Sequence, residues 1–287
     1  MTSMLCSDVA GEPLPGTSKP GAMYVVFEKP GSWSHDILDG DTFGPELTKR
    51  LKALPGGMYL IRKHGREGHV KKDKHTCYLV FCEQAVTERL ELTSVEELFD
   101  LDLAGPGRNA DKGAVVETKP LLLVCTHSKR DRCCAIKGRP MAAALSEAFP
   151  DAPIWECSHT KGHRFAPSMV LMPHSYSFGR LNTSAAIAMY EASLRGEMFL
   201  PGARGRGIYS PQGQVAELAV AQQLVQAGET VRIGELAVEG TTVMHPDGRK
   251  FEVELETTVT DGVMGSCGDE PKRGTSWVAV GITKSSA

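Results

Sequence analysis

The chain has 287 residues, 41% hydrophobic and 23% charged, a globular composition that excludes a disordered or collagen-like protein and at this length suggests about two domains. A net charge of -3 gives no ground for expecting nucleic-acid binding, and no run approaches the ~18 apolar residues of a membrane helix. The opening Met-Thr-Ser-Met-Leu-Cys-Ser-Asp has neither a basic start nor an apolar core, so no secretory leader is expected there.

In chain order, Met23 to Glu28 reads as a strand closed by Pro30-Gly31. Pro45 to Leu54 has helical spacing, with Leu47, Leu51 and Leu54 on one face and Pro45 suited to the first turn. Met58 to Arg62 and Thr76 to Cys82 are aromatic and branched strands, and Ser94 with Glu97 opens a short helix. The Gly, Pro and charged stretch 104–113 reads as a linker. Beyond it come a strand at Leu121–Cys125, a helix at Pro140–Phe149, strands at 154–157, 168–172 and 176–181, and a helix at 184–194 ended by Gly196. Strand–helix–strand–strand–helix is a thioredoxin-like order, and its repetition suggests a duplication. A helix at 215–225, two strands flanking the Asp247-Gly248 turn and a last strand at 276–282 complete a small α+β appendage. The fold class is therefore α/β (α+β): an N-terminal thioredoxin-like unit at 1–113, a second one at 114–203 and the appendage at 204–287.

Eight cysteines in a long chain with a full core point to reduced thiols in a cytoplasm rather than to a secreted disulfide scaffold. Cys125, Cys133, Cys134 and Cys157 lie close in sequence to His159 and His163, whereas Cys6, Cys77, Cys82 and Cys267 are scattered. Loops after strands are where α/β sheets build their sites, so two Cys and two His from neighbouring strand ends make a plausible four-ligand cage. Three metal readings compete on spacing: structural zinc on Cys125, Cys134, His159 and His163; a Rieske centre suggested by Cys125-Thr-His127 and Cys157-Ser-His159; and a two-iron cluster in another fold. The Cys-x8-Cys gap is wider than a zinc-finger knuckle, and Rieske domains are expected to be all-β.

The segments Cys125-Thr-His-Ser-Lys-Arg-Asp-Arg-Cys-Cys134 with Gly138-Arg-Pro140, and Trp155-Glu-Cys-Ser-His-Thr-Lys-Gly-His-Arg-Phe-Ala-Pro167, closely resemble the sucrase/ferredoxin-like family. Cys6-Ser, Glu12 to Thr17, Phe27 to Trp33 and Ser266-Cys-Gly268 resemble its bacterial branch. The resemblance implies a thioredoxin-like ferredoxin domain with a [2Fe-2S] cluster on Cys125, Cys134, His159 and His163, Cys133 being the alternative to Cys134. Lys161 stands where the family's His-x-Gly-Gly-His motif often has its first glycine, a cation beside the cluster. Nothing marks a paired-carboxylate glycosidase site. Such a ligand set implies single-electron transfer, with proton coupling through the imidazoles, by a carrier rather than a complete enzyme. Lys129, Arg130, Arg132, Lys137, Arg139, Lys161 and Arg164 suggest docking of an acidic redox partner protein; neither membrane nor nucleic acid is expected as a partner. The alternatives are a zinc-stabilised Cys2His2 binding module and a thiol oxidoreductase using Cys133 or Cys134.

Overall fold

The computed structural model describes residues 4–9 and 11–285; residues 1–3, where the leader reading begins, and residues 10, 286 and 287 lie outside the described residues. The first half runs β1 (Met23–Glu28), α1 (Pro45–Lys52), β2 (Gly57–Arg62), β3 (His75–Phe81) and β4 (Val86–Leu92), then a 3-10 turn at Val95–Asp100. Pro45 takes the first turn of α1, and Ser94 and Glu97 form a reciprocal capping box. β4 is a strand the sequence reading passed over. Its exposed Arg89 and Glu91 alternate with buried Leu90 and Leu92, a half-solvated antiparallel pattern that is weaker than an apolar run.

The second half runs β5 (Val115–Val116), β6 (Leu121–Cys125), α2 (Arg132–Ala148), β7 (Ile154–Cys157), β8 (Ser168–Met172), β9 (Tyr176–Gly179) and α3 (Thr183–Leu194). After it come β10 (Ala203–Arg206), α4 (Pro211–Gln226), β11 (Ala237–Glu239), β12 (Thr242–Met244), β13 (Lys250–Val263) and β14 (Lys272–Ser285). Ten strands form one mixed sheet in the order β10-β9-β8-β6-β7-β2-β1-β3-β4-β5. β1 lies parallel to β2 and antiparallel to β3, and β6 lies parallel to β7 and antiparallel to β8, so the halves repeat one topology. They join where β2 and β7 pair antiparallel, Ile61 opposite Cys157 and Arg62 opposite Glu156. The other four strands make a separate antiparallel sheet, β11-β12-β13-β14.

Every residue of β6 is buried, as expected for an apolar strand covered on both faces. Leu122 and Val124 pack with Met141 and Leu145 of α2. Leu121, Leu123 and Cys125 pack with Tyr24, Tyr59 and Trp155, so this second layer spans both halves.

Helix α2 starts at Arg132 rather than at the expected Pro140. Asp131 caps it, its carboxylate accepting from the Cys133 N–H at 2.8 Å. Pro140 sits inside the helix and withholds one donor, but Ile136, four residues earlier, is exposed, so the loss falls on the solvent side. The earlier start puts Cys133 and Cys134 in the first turn. Gly138 lets the helix approach β6: a Cβ there would sit 2.0 Å from the Cys125 carbonyl oxygen.

One buried acid makes stability pH-dependent. Glu217 of α4 is fully buried and accepts from the Tyr176 hydroxyl at 2.5 Å; burial raises its pKa from the usual 4.5 to about 7. The folded state therefore holds this proton more tightly than the unfolded one. The associated stability is complete below about pH 4.5 and is lost as pH rises through about 7, a loss of roughly 3 kcal/mol. Urea unfolding of wild type and Glu217→Gln at pH 5 and pH 8 is expected to show that wild type loses roughly 2–3 kcal/mol more than the variant over this interval.

Candidate metal centre

Three elements deliver the site. β6 ends at Cys125, the first turn of α2 carries Cys134, and the loop after β7 carries His159 and His163. Cys125 and Cys134 are each 1% exposed, and His159 Nδ1 lies 3.9 Å from both sulfurs. These three side chains form one group whose ligand atoms all lie within 4.8 Å of one another. His163 stands one imidazole behind, its Nδ1 3.2 Å from His159 Nε2, the ring centroids 4.9 Å apart.

The partners of the two rings define their tautomers. His163 Nε2 faces the Gly265 carbonyl oxygen at 2.5 Å and the Ser266 hydroxyl at 2.9 Å. A carbonyl only accepts, so Nε2 carries the proton and Nδ1 a lone pair. That lone pair accepts from His159 Nε2–H, which in turn leaves His159 Nδ1 as a free donor atom aimed at the thiols. Within the thiol pair, the hydrogen bond from Cys134 holds the Cys125 thiol well below its ordinary value, so the first ionisation falls there. The bond to Cys125, together with burial, pushes Cys134 up, and burial, then the neighbouring His159, depresses the pKa of His163.

The seam between the halves sets the histidine loop. Ser158 N–H donates to the Leu60 carbonyl at 2.8 Å, and Leu60 N–H donates to Ser158 Oγ at 3.0 Å. Beside it, Glu156 accepts from Arg62 Nε at 3.0 Å and from Thr126 Oγ1 at 2.9 Å, which ties the residue after Cys125 to the same buried ion pair. Arg204, 0% exposed, donates to the carbonyl of Lys161 at 3.2 Å and to Ser168 Oγ at 3.2 Å. Lys161 adopts φ 59°, the left-handed region that glycine enters without cost, at the position where the related motif often carries glycine. Gly162 has no room for a side chain, since a Cβ would lie 2.3 Å from Arg204 Nη1.

Cys133 points elsewhere. Its sulfur lies 3.4 Å from Cys6 Sγ and 3.1 Å from Cys267 Sγ, in a second group with Asp131. Hydrogen bonds from Cys6, Ser7 and Cys267 pull the Cys133 thiol down to about 6. His127 and Cys157, the other members of the two Cys-x-His pairs, join neither group: His127 Nε2 lies 2.7 Å from the Ser34 carbonyl, and Cys157 is buried in the apolar layer. Sequence reasoning missed Arg204, Gly265 and the convergence of Cys6 with Cys267. Only the Ser266-Cys-Gly268 resemblance hinted at that loop.

His159 opens onto a pocket of about 260 Å³ lined by Lys19, His35, Asp36, Arg130 and Lys161, a rim with more cations than acids. Lys137 and Arg164 are engaged instead with Asp8 and Glu12 at 2.6 and 2.8 Å.

Fold and site together define a mixed α/β protein whose buried cysteine-rich groups could hold a metal or cluster. The family model for Sucrase/ferredoxin-like proteins matches residues 14–205, and the chain belongs to that family. No curated protein and no solved structure matches it. Among the described residues no helix is long and apolar enough to cross a membrane.

Two neighbouring substitutions should therefore act in opposite senses. Gly162→Ala must displace Arg204 or the loop and is expected to cost roughly 1–3 kcal/mol in denaturant unfolding. Lys161→Gly relieves the left-handed backbone and is expected to be neutral or to stabilise by up to about 1 kcal/mol.

Proposed function

We propose that this chain is a cytoplasmic electron-transfer protein holding a [2Fe-2S] cluster on Cys125, Cys134, His159 and His163, within two repeated thioredoxin-like units. The observation that carries the reading is the convergence of two thiols and an imidazole, with a second imidazole directly behind, from the ends of adjacent strands. The donor set fits the group: soft sulfur and neutral nitrogen ligands, one thiol already acidified, and a backbone carbonyl that holds the His163 proton at Nε2, so that His163 Nδ1 would serve as a ligand once it gives up its hydrogen bond with His159. Bound there, a cluster would exchange single electrons at a potential above that of four-thiolate ferredoxins, because two neutral imidazoles replace two anionic thiolates.

The protein's own residues do the rest. Burial of Cys125 and Cys134 excludes water from the sulfur side. His159, half-buried at the pocket, gives the one ligand side open to solvent. Lys19, Arg130 and Lys161 around that opening would draw in an acidic donor or acceptor protein and speed encounter at low ionic strength.

One observation favours a second reading, a zinc-held binding module on the same residues: Cys125, Cys134 and His159 lie within the span of a single ion's coordination sphere. Analysis of protein isolated anaerobically from its native cells separates the two. Two irons and two acid-labile sulfides per chain, with visible absorption, are expected, whereas zinc at Cys125 and Cys134 without sulfide would sink the iron–sulfur reading.

The divergent directions of the two neighbouring thiols give a sharper test. Cys134→Ser is expected to abolish the visible absorption. Cys133→Ser should retain most of it, because that sulfur faces Cys6 and Cys267. The reverse pattern in absorbance per chain would move the ligand to Cys133 and overturn the choice of Cys134.

A further inference from the structure

We propose that Cys6, Cys133 and Cys267, with a carboxylate oxygen of Asp131, form a second metal site that takes one zinc ion and clasps both ends of the chain to the start of α2. This second site forms whichever metal or cluster Cys125 and Cys134 hold.

The three sulfurs come from the N-terminal segment, the first turn of α2 and the loop between β13 and β14. They lie 3.4, 3.1 and 3.6 Å apart, and Asp131 Oδ2 lies 4.0 Å from Cys6 Sγ. With zinc–sulfur bonds of about 2.3 Å, a tetrahedral site separates its sulfurs by about 3.8 Å, so a zinc ion would require only small outward shifts. Three thiols cannot pair off as disulfides without leaving one over, whereas a tetrahedral ion uses all three and the carboxylate. Two of them are nearly inaccessible, Cys6 at 2% and Cys133 at 0% exposure, which favours a closed, structural site.

The surroundings are those of thiolates. Cys6 N–H donates to Cys267 Sγ at 3.4 Å, and Ser7 Oγ donates to Cys133 Sγ at 3.3 Å. Cys133 lies in the first turn of a 17-residue helix, where the dipole favours negative charge. Asp131 is locked from behind by the N–H groups of Cys133 and Cys267, both at 2.8 Å. Arg132 reaches Cys267 and so offsets part of the negative charge that three thiolates and a carboxylate would leave on the ion. Cys267 also lines a cleft of about 710 Å³ with Lys129, Arg130, Asp131 and Ser266, which gives an entry path.

Zinc counted by mass spectrometry in the Cys125→Ser/Cys134→Ser variant, equilibrated with equimolar zinc and desalted, tests the site without the first one. One zinc per chain is expected, falling to none when Cys6→Ser and Cys267→Ser are added. No retained zinc in the first variant, or zinc unchanged by the added pair, overturns the proposal. Zinc X-ray absorption on the wild-type chain covers the case in which the variants do not fold. Three sulfurs and one oxygen around the ion are expected. Two sulfurs and two nitrogens, or an intact mass that shows a disulfide among the three cysteines, would overturn it.

Discussion

The site depends on a short antiparallel seam. Only Ile61–Cys157 and Arg62–Glu156 pair β2 with β7, yet this join makes two half-sheets into one. Glu156 accepts from Arg62, His64 and Thr126, and it does so at 4% exposure. A buried carboxylate left without its cation is strongly destabilising, so the halves cannot separate without exposing that cost. The same seam anchors Ser158, the residue before His159, and Thr126, the residue after Cys125. The positions of a thiol and an imidazole are thus set by a contact between the two repeats, to which each half contributes one strand.

Helix geometry explains how two adjacent cysteines serve different groups. Successive residues on an α-helix point about 100° apart, so the first turn of α2 cannot aim Cys133 and Cys134 at one target. Gly138, one turn on, lets the helix lie against the Cys125 carbonyl, and this close approach turns Cys134 inward to Cys125. Cys133 is left facing the chain ends. Asp131, at the cap, touches both systems: its carboxylate accepts from Cys133 and Cys267, and its Oδ2 lies 3.9 Å from His163 Nε2.

Much of this was legible in the sequence where chemistry is local. The apolar runs 23–28 and 121–125, the Pro45 helix start, the Ser94 capping box and the Asp247-Gly248 turn are signals carried by a few adjacent residues, and each marks an element present in the fold. Cys125, Cys134 and His159 were legible because the chain order of strand, helix and strand brings their ends together. The start of α2 was obscured by Pro140, which signals a helix beginning but here sits on an exposed face that tolerates a missing donor. The seam left no trace, since pairing between β2 and β7 is a contact far apart in sequence with no turn to announce it. Cys6 and Cys267 were unreadable as partners for the same reason, at a sequence separation of 261.

In the sequence the C-terminal appendage offers no chemistry beyond Cys267, and the tautomers of the two histidines give its hairpin a role. β13 and β14 are long paired strands whose connecting loop carries Gly265, Ser266 and Cys267. The Gly265 carbonyl fixes the proton of His163 at Nε2, His163 Nδ1 fixes that of His159 at Nε2, and His159 Nδ1 is thereby left free toward the sulfurs. If the loop withdrew, either nitrogen of His163 could carry the proton and the donor direction of His159 would no longer be set. Cys267 holds the loop through its N–H on Asp131 and its sulfur beside Cys133, so the second cysteine group bears on the first through two imidazoles and one carbonyl. The appendage therefore helps to set the donor direction of the candidate site, and its loop is constrained by the orientation of His163 as well as by packing.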